Sequence, residues 1–167
     1  MDAEAPVRLF RLLYCSRMTS AVAADLEPTL KSVLEASIRN NREASISGLL
    51  IGHRGWFVQA LEGPERALEQ RFDVIRRDPR HTDCSVLHLG HVAERAFPRW
   101  SMCAQGLSAT DEAILTTLEY KAEFDPSRWN EAVVMRLLGA VSKIHERSLA
   151  QRYEVAQRTA EAINSAA

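Results

Sequence analysis

The spacing of apolar residues divides the first two thirds of the chain into short elements. Residues 7–16 predict a strand that is apolar on both faces, which is typical of a central position in a sheet. Residues 25–41 predict a helix, because their apolar positions recur every three or four residues, and Asp25 is its expected N-cap. Further strands are predicted at 44–52, 56–61, 84–93 and 99–106, and a second helix follows from Pro64.

The order of these elements, β-α-β-β-α-β-β, predicts an α+β fold. It corresponds to a ferredoxin-like βαββαβ layout with an added fifth strand and with two helices on one face of the sheet. In this layout the first strand lies beside the strand that carries Gln59, in the middle of the sheet. We therefore expect residues 1–108 to form one domain.

The remaining residues, 109–167, predict a C-terminal helical extension. Thr110 is the expected N-cap of a first helix, and Ser127 is the expected N-cap of a longer helix that runs towards Ile163. The apolar spacing of the longer helix covers about two heptads, which is too short for a free coiled coil. We expect these helices to cover the open face of the sheet or to contact a partner protomer. The apolar stripe consists of Val134, Leu137, Val141 and Ile144.

The composition is typical of a globular protein, with 46% hydrophobic and 26% charged residues and a net charge of −1. This charge balance gives no electrostatic case for direct binding of nucleic acid or of a membrane surface. Three cysteines without metal-ligand spacing indicate reduced thiols and a cytoplasmic location. The chain starts without a cationic stretch followed by an apolar one, so we expect no signal peptide.

Gln59 places a primary amide on a strand face that otherwise looks like core, between Phe57 and Leu61. A buried amide needs hydrogen-bond partners for two donors and an acceptor. Gln59 is therefore either a structural glutamine bonded to neighbouring backbone or part of a functional site. Tyr14 is equally ambiguous, since it suits a core aromatic position. Together, a phenol and an amide on adjacent strands can share a hydrogen bond that faces the helix layer.

Asn40 and Asn41 stand at the predicted end of the first helix. Asparagine tolerates the left-handed conformation that ends many helices, but two in a row can also hold a planar ligand with hydrogen-bonding groups. Trp100 and Met102 share one face of the predicted fifth strand. They are either core residues or the wall of a slot that binds a ring.

Asp78, Arg80 and His81 follow the second helix, where Pro79 breaks it. They form either a solvated turn or a cluster of mixed charge that suits a ligand with phosphate or hydroxyl groups. No catalytic motif is present: there is no G-x-S-x-G, no H-E-x-x-H and no glycine-rich phosphate loop. We therefore do not expect the chain to be an enzyme.

Over residues 9–106 the sequence resembles the BLUF family, the blue-light sensors that use FAD. The resemblance implies FAD as the ligand, and FMN or riboflavin are alternatives because Val74 replaces a polar or basic residue of some relatives. It implies that the flavin ring lies between the two helices, edge-on to the sheet. The matching stretches are "RLLYCS", "LEASIRNN", "SISGLLI", "GWFVQALEG", "IRRDPRH" and "RWSM".

The resemblance also implies roles for individual residues. Tyr14 and Gln59 match the tyrosine and the switching glutamine of the family, and Trp100 and Met102 match the mobile pair on the last strand. These four are the expected photoactive residues. The expected cofactor-binding residues are Ser37, Asn40, Asn41, Phe57, Gln59, Ile75, Asp78, Arg80 and His81.

The activity that the resemblance implies is light sensing. Excitation of the flavin drives electron and proton transfer from Tyr14 and rearranges the hydrogen bonds of Gln59, and the signal leaves through the last strand and the helices. The expected partner is an effector protein such as a cyclic-di-GMP phosphodiesterase or a transcriptional regulator, and the chain is expected to form a homo-oligomer. Two alternatives remain: a flavin-dependent redox enzyme and a ferredoxin-like adaptor without photoactivity.

Overall fold

The computed structural model describes residues 8–98, 103–106 and 124–165. Within these residues, four α-helices and one 3₁₀ turn accompany five strands. The elements are β1 (Leu9–Met18), α1 (Ser20–Ala24), α2 (Leu26–Glu43), β2 (Ser47–His53), β3 (Trp56–Pro64), α3 (Glu65–Ile75), β4 (His81–His91), β5 (Cys103–Gly106), the 3₁₀ turn (Pro126–Arg128) and α4 (Glu131–Ser165).

The strands form one sheet in the order β4-β1-β3-β2-β5, in which β5 runs parallel to β2 and the other pairs are antiparallel. This arrangement confirms the ferredoxin-like prediction with its fifth strand. It also places β1 beside β3, with Tyr14 directly opposite Gln59. A two-residue turn joins β2 to β3, and both Arg54 and Gly55 have positive φ angles of 46° and 79°. Such angles suit the right-handed twist of a tight hairpin and favour glycine.

Each face of the sheet carries its own apolar core. Along each strand, successive side chains point alternately into one core and the other. The helices α2 and α3 pack on one face of the sheet, and α4 covers the other face. The first core contains Leu12, Tyr14, Val22, Leu30, Ile46, Leu50, Phe57, Leu61 and Leu68. The second core contains Leu13, Cys15, Leu49, Ile51, Trp56, Val58 and Ala60 from the sheet and Val134, Leu137, Leu138 and Val141 from α4.

The start of α4 corrects one prediction. Ser127 is not the N-cap: its backbone N–H and its hydroxyl both donate to the Asp125 carboxylate, which closes a local turn. The helix begins at Glu131, where Asn130 Oδ1 accepts from the backbone N–H of Val133 at 3.1 Å. The expected stripe does cover the open sheet face, since Val134 is fully buried. The helix expected after Thr110 lies outside the described residues.

Three further element boundaries also differ from the prediction. A short helix, α1, precedes α2, and Thr19 caps it by accepting from the backbone N–H of Val22. Asp25 stands between the two helices and makes no side-chain cap. Pro64 ends β3 rather than lying inside α3, and β4 already begins at His81, where it pairs with the end of β1.

Candidate functional site

A cavity opens between α2 and α3, with β1, β2 and β3 as its floor. Its empty space is about 780 Å³, including the part that is open to solvent. Tyr14 and all nine residues that were predicted to bind a cofactor line this one cavity. Trp100 and Met102 lie outside the described residues. The lining consists of Tyr14, Val33, Ala36, Ser37, Asn40, Asn41, Leu50, Phe57, Gln59, Arg71, Val74, Ile75, Asp78, Arg80 and His81.

Tyr14 and Gln59 form a buried pair on the floor of the cavity. The phenol donates to Gln59 Oε1 at 2.5 Å, and both side chains are at most 3% exposed. Burial raises the pKa of Tyr14 well above its ordinary value, and the nearby Cys84 and Asp78 add to this effect. The phenol therefore keeps its proton, and the Phe72 ring, whose centroid lies 5.2 Å away, packs against it.

Ser37, Asn40 and Asn41 come from one face of α2, because residues three and four apart lie one above the other on a helix. The helix continues to Glu43, so the two asparagines are not its left-handed end. Asn41 is fully buried, and its backbone carbonyl accepts from the N–H of Ile46 at 2.8 Å. The side chains of this face give the cavity a polar wall of amides and a hydroxyl.

Asp78 and Arg80 line the cavity as an ion pair with each other. Arg80 donates to the Asp78 carboxylate through Nε at 2.9 and 3.0 Å and through Nη2 at 2.5 Å. These hydrogen bonds lower the pKa of Asp78 and raise the pKa of Arg80. The pair is about one third exposed, which places it at the mouth of the cavity rather than on its floor.

The His81 ring forms hydrogen bonds both to the end of α3 and to β1. Its Nε2 lies 2.7 Å from the Ile75 carbonyl oxygen, and since a carbonyl can only accept, Nε2 carries the proton. In the neutral ring Nδ1 then accepts from the hydroxyl of Ser16 at 2.6 Å. Ser16 is fully buried, and the sequence analysis did not single it out. The edge of the His81 ring faces Phe57, and the two ring centroids are 6.0 Å apart.

Arg71 is a cavity residue that sequence reasoning missed. It lies one helical turn before Val74 and Ile75 on α3, so the helical spacing from Ile75 could have found it. Its Nε is buried and has no hydrogen-bond partner among the described residues. A guanidinium, three amides and a hydroxyl around an apolar slot suit a flat ring that carries carbonyl oxygens and ring nitrogens. The residues present therefore fit a flavin.

Several known proteins are similar to a large part of this chain. A subunit beta of a photoactivated adenylate cyclase from Euglena longa is 37% identical over 117 residues, which is 70% of this chain and 13% of the relative. The structure of BlsA in its photo-activated state covers 79% of this chain and 93% of that chain, with 26% identity and a TM-score of 0.70. BlrP1 of Klebsiella pneumoniae, solved with FMN and cyclic diGMP, covers 77% of this chain and 34% of that chain, with 29% identity and a TM-score of 0.58.

The profile of one protein family matches residues 9–103, the region that contains β1 to β4, α2 and α3. The description of that family is "Sensors of blue-light using FAD". Among the described helices, none has an apolar stretch long enough to cross a membrane. On the family match and the 37% identity to a photoactivated relative, the chain belongs to the BLUF family of flavin-based blue-light sensors.

Proposed function

We propose that this protein is a blue-light photoreceptor that holds a flavin between α2 and α3 and reads its excitation through Tyr14 and Gln59. The observation that carries the proposal is the buried hydrogen bond from the Tyr14 phenol to Gln59 Oε1 on the floor of the cavity. We assign Trp100 and Met102 to the same photoactive set. We assign FAD as the cofactor, with FMN as an alternative, and the FMN in the BlrP1 structure supports that alternative.

The bound flavin supplies absorption of blue light and an excited state that is a strong oxidant. Tyr14 is the electron and proton donor of the proposal, because burial keeps its phenol protonated and in contact with the amide. Gln59 relays the proton and then reorients. It suits this role because it carries a donor and an acceptor on one short side chain. Leu12, Leu50 and Leu61 keep water away from the pair, which strengthens its electrostatic interactions.

The signal path of the proposal runs from β3 to the C-terminal part of the chain. Gln59 on β3 pairs with Leu50 on β2, and Leu50 pairs in turn with Ala104 on β5. β5 is thus two strands away from Gln59, and Trp100 and Met102 precede it in the sequence. Moving one buried hydrogen bond changes the free energy by about 1 kcal/mol, which shifts an equilibrium by less than about tenfold. The output element therefore needs two states of similar free energy.

The output of the proposal is contact with an effector protein, and not catalysis by residues 1–167. Similar chains include a photoactivated adenylate cyclase subunit and a protein solved with cyclic diGMP, so a cyclic-di-GMP phosphodiesterase or a transcriptional regulator is the proposed partner class. Leu149, Tyr153 and Val155 are exposed on the second half of α4 and support a contact surface there, either for the effector or for a second copy of this chain. Cys15 and Cys84 are free thiols, which supports a cytoplasmic location.

The test is an absorption spectrum of the purified protein in the dark and after blue light. We expect bound flavin and a reversible shift of its visible bands to longer wavelength, because the reoriented Gln59 amide donates a new hydrogen bond to a ring carbonyl. A protein that refuses added flavin, or whose bands stay in place on illumination, would refute the proposal. Reduction by NAD(P)H without a reversible shift would instead support a redox enzyme.

A further inference from the structure

We propose that Arg71 is a flavin-binding residue of this protein, whose guanidinium donates to an oxygen acceptor of the ligand through its buried Nε. The inference rests on the proposed function, since it needs a flavin in the cavity between α2 and α3. It adds to the expected binding set a residue that the family resemblance did not supply.

The surroundings of Arg71 give no structural reason for a cation at this place. One turn before it on α3 are Ala67 and Leu68, and one turn after it are Val74 and Ile75, so no acid shares its helix face. Among the described residues, nothing accepts a hydrogen bond from Arg71 Nε, although that atom is buried. A buried donor without a partner costs free energy, so a ligand oxygen there would stabilise the protein.

Neighbouring arginines show the contrast. Arg76 donates from Nε to Asp73 Oδ1 at 2.8 Å on the exposed side of α3, and Arg80 is paired with Asp78. Each of these has its carboxylate within a few residues along the chain. Arg71 therefore differs from the other cations of this region in having a donor that faces the cavity and is not already used.

Arg71 can be located along α3 relative to the two polar ends of the cavity. Ser47 pairs with Glu62, so the end of α2 and the start of α3 lie at the same end of the sheet. Asn40 and Asn41 are in the last turns of α2, at that end. His81 pairs with Met18, so the Asp78–Arg80 pair lies at the opposite end. Arg71 lies six residues after the start of α3 and four before its end, so it stands between the amides and the Asp78–Arg80 pair.

The guanidinium presents five N–H donors in a planar fork, which matches either a ring carbonyl or a phosphate oxygen. The shared chemistry is an oxygen acceptor of the flavin, and its two sources are the ring and the phosphate groups. Riboflavin has only the ring, whereas FMN and FAD also carry phosphate. Comparing the three ligands therefore separates the sources, and a cation beside the ring would also favour the reduced flavin.

The experiment measures the affinity of flavin-depleted full-length protein for riboflavin, FMN and FAD by fluorescence quenching. The variants are Arg71→Met, which keeps the alkyl stem, and Arg71→Lys, which keeps the charge but loses the Nε donor. Arg76→Met is the matched control, since Arg76 directly follows the same helix and does not line the cavity. Circular dichroism shows whether each variant is folded, and the midpoint potential of the bound flavin is measured in each holoprotein.

We expect Arg71→Met to weaken flavin binding at least about tenfold, Arg71→Lys to weaken it less, and Arg76→Met to leave it unchanged. An equal loss for all three ligands with a lower midpoint potential assigns Arg71 to the ring. A loss only for FMN and FAD with an unchanged potential assigns it to a phosphate. Folded Arg71→Met that binds all three ligands like the wild type overturns the inference. A wild-type protein that binds no flavin refutes the proposed function instead.

Discussion

Replacing Glu62 with glutamine tests how the sheet holds the segment that follows β4. Glu62 is fully buried on the α4 side of β3, and its Oε1 accepts from Arg11 Nε at 2.8 Å. The same carboxylate accepts from the backbone N–H groups of Ala96 and Phe97, both at 3.0 Å. Three hydrogen-bond donors therefore share one carboxylate. Two of them, the N–H groups of Ala96 and Phe97, belong to the segment that precedes residues 99–106 in the sequence.

The size of the effect follows from what Glu62→Gln leaves behind. One amide oxygen can still accept, so at least one of the three donors loses its partner, and the new NH₂ group faces donors instead of acceptors. Arg11 is only 13% exposed, so its charge loses its counter-ion in a nearly dry place. Removing one partner of a buried ion pair costs about 3–5 kcal/mol. We expect a loss of about 3 kcal/mol in the free energy of unfolding.

The assay is urea unfolding followed by circular dichroism. With a slope of about 2 kcal/mol/M, the expected loss lowers the midpoint by about 1.5 M urea. Glu131→Gln is the matched control, because Glu131 Oε1 lies 3.9 Å from Arg11 Nη1 and its side chain is 41% exposed. Such a pair contributes at most about 1 kcal/mol. If Glu62→Gln lost less than about 1 kcal/mol, the buried carboxylate would not be the anchor described above.

The other predictions concern the photoactive pair and the two cores. Gln59→Leu should still bind flavin and lose the light-induced red shift; an unchanged photocycle would contradict its role. Tyr14→Phe should abolish the productive light response while the protein stays folded, as read by transient absorption. Leu137→Ala should lower the free energy of unfolding by about 2–5 kcal/mol and leave the dark flavin spectrum unchanged, since Leu137 is fully buried on the side away from the cavity. Cys15 is fully buried, and burial raises the pKa of its thiol to about 11; alkylation at pH 8, followed by mass spectrometry, should be slow there in the folded protein and fast in urea.

The pairing of Tyr14 with Gln59 was readable from the sequence because two independent patterns agree. Period-two alternation gives the face of each residue, and the ferredoxin-like order makes their strands neighbours. The register that sets them opposite each other is that of the β1–β3 pairing, which only the structure gives. The cavity lining came from the resemblance, and α2 and α3 bring those residues together on one side.

What the sequence did not reveal depends on short local contacts. Serine is a residue type that is common at N-caps, but the N–H and the hydroxyl of Ser127 both donate to the Asp125 carboxylate. Asn130 caps α4 instead. Helix α1 is only five residues long, which is too short for a periodic pattern. Arg71 was missed because an arginine on an amphipathic helix usually faces water, and only the tertiary packing buries its Nε.

The sheet between the two cores is a single backbone thick. Tyr14 points into the flavin-side core, while its chain neighbours Leu13 and Cys15 point into the core beneath α4. Peptide planes join Tyr14 to Leu13 and to Cys15, so a twist of β1 at Tyr14 also moves these two side chains within the core that contains Leu137 and Val141. The flavin cavity and α4 therefore lie on opposite faces of one sheet, with no other layer of protein between them. A displacement of β1 on the cavity side also displaces the side chains that pack beneath α4.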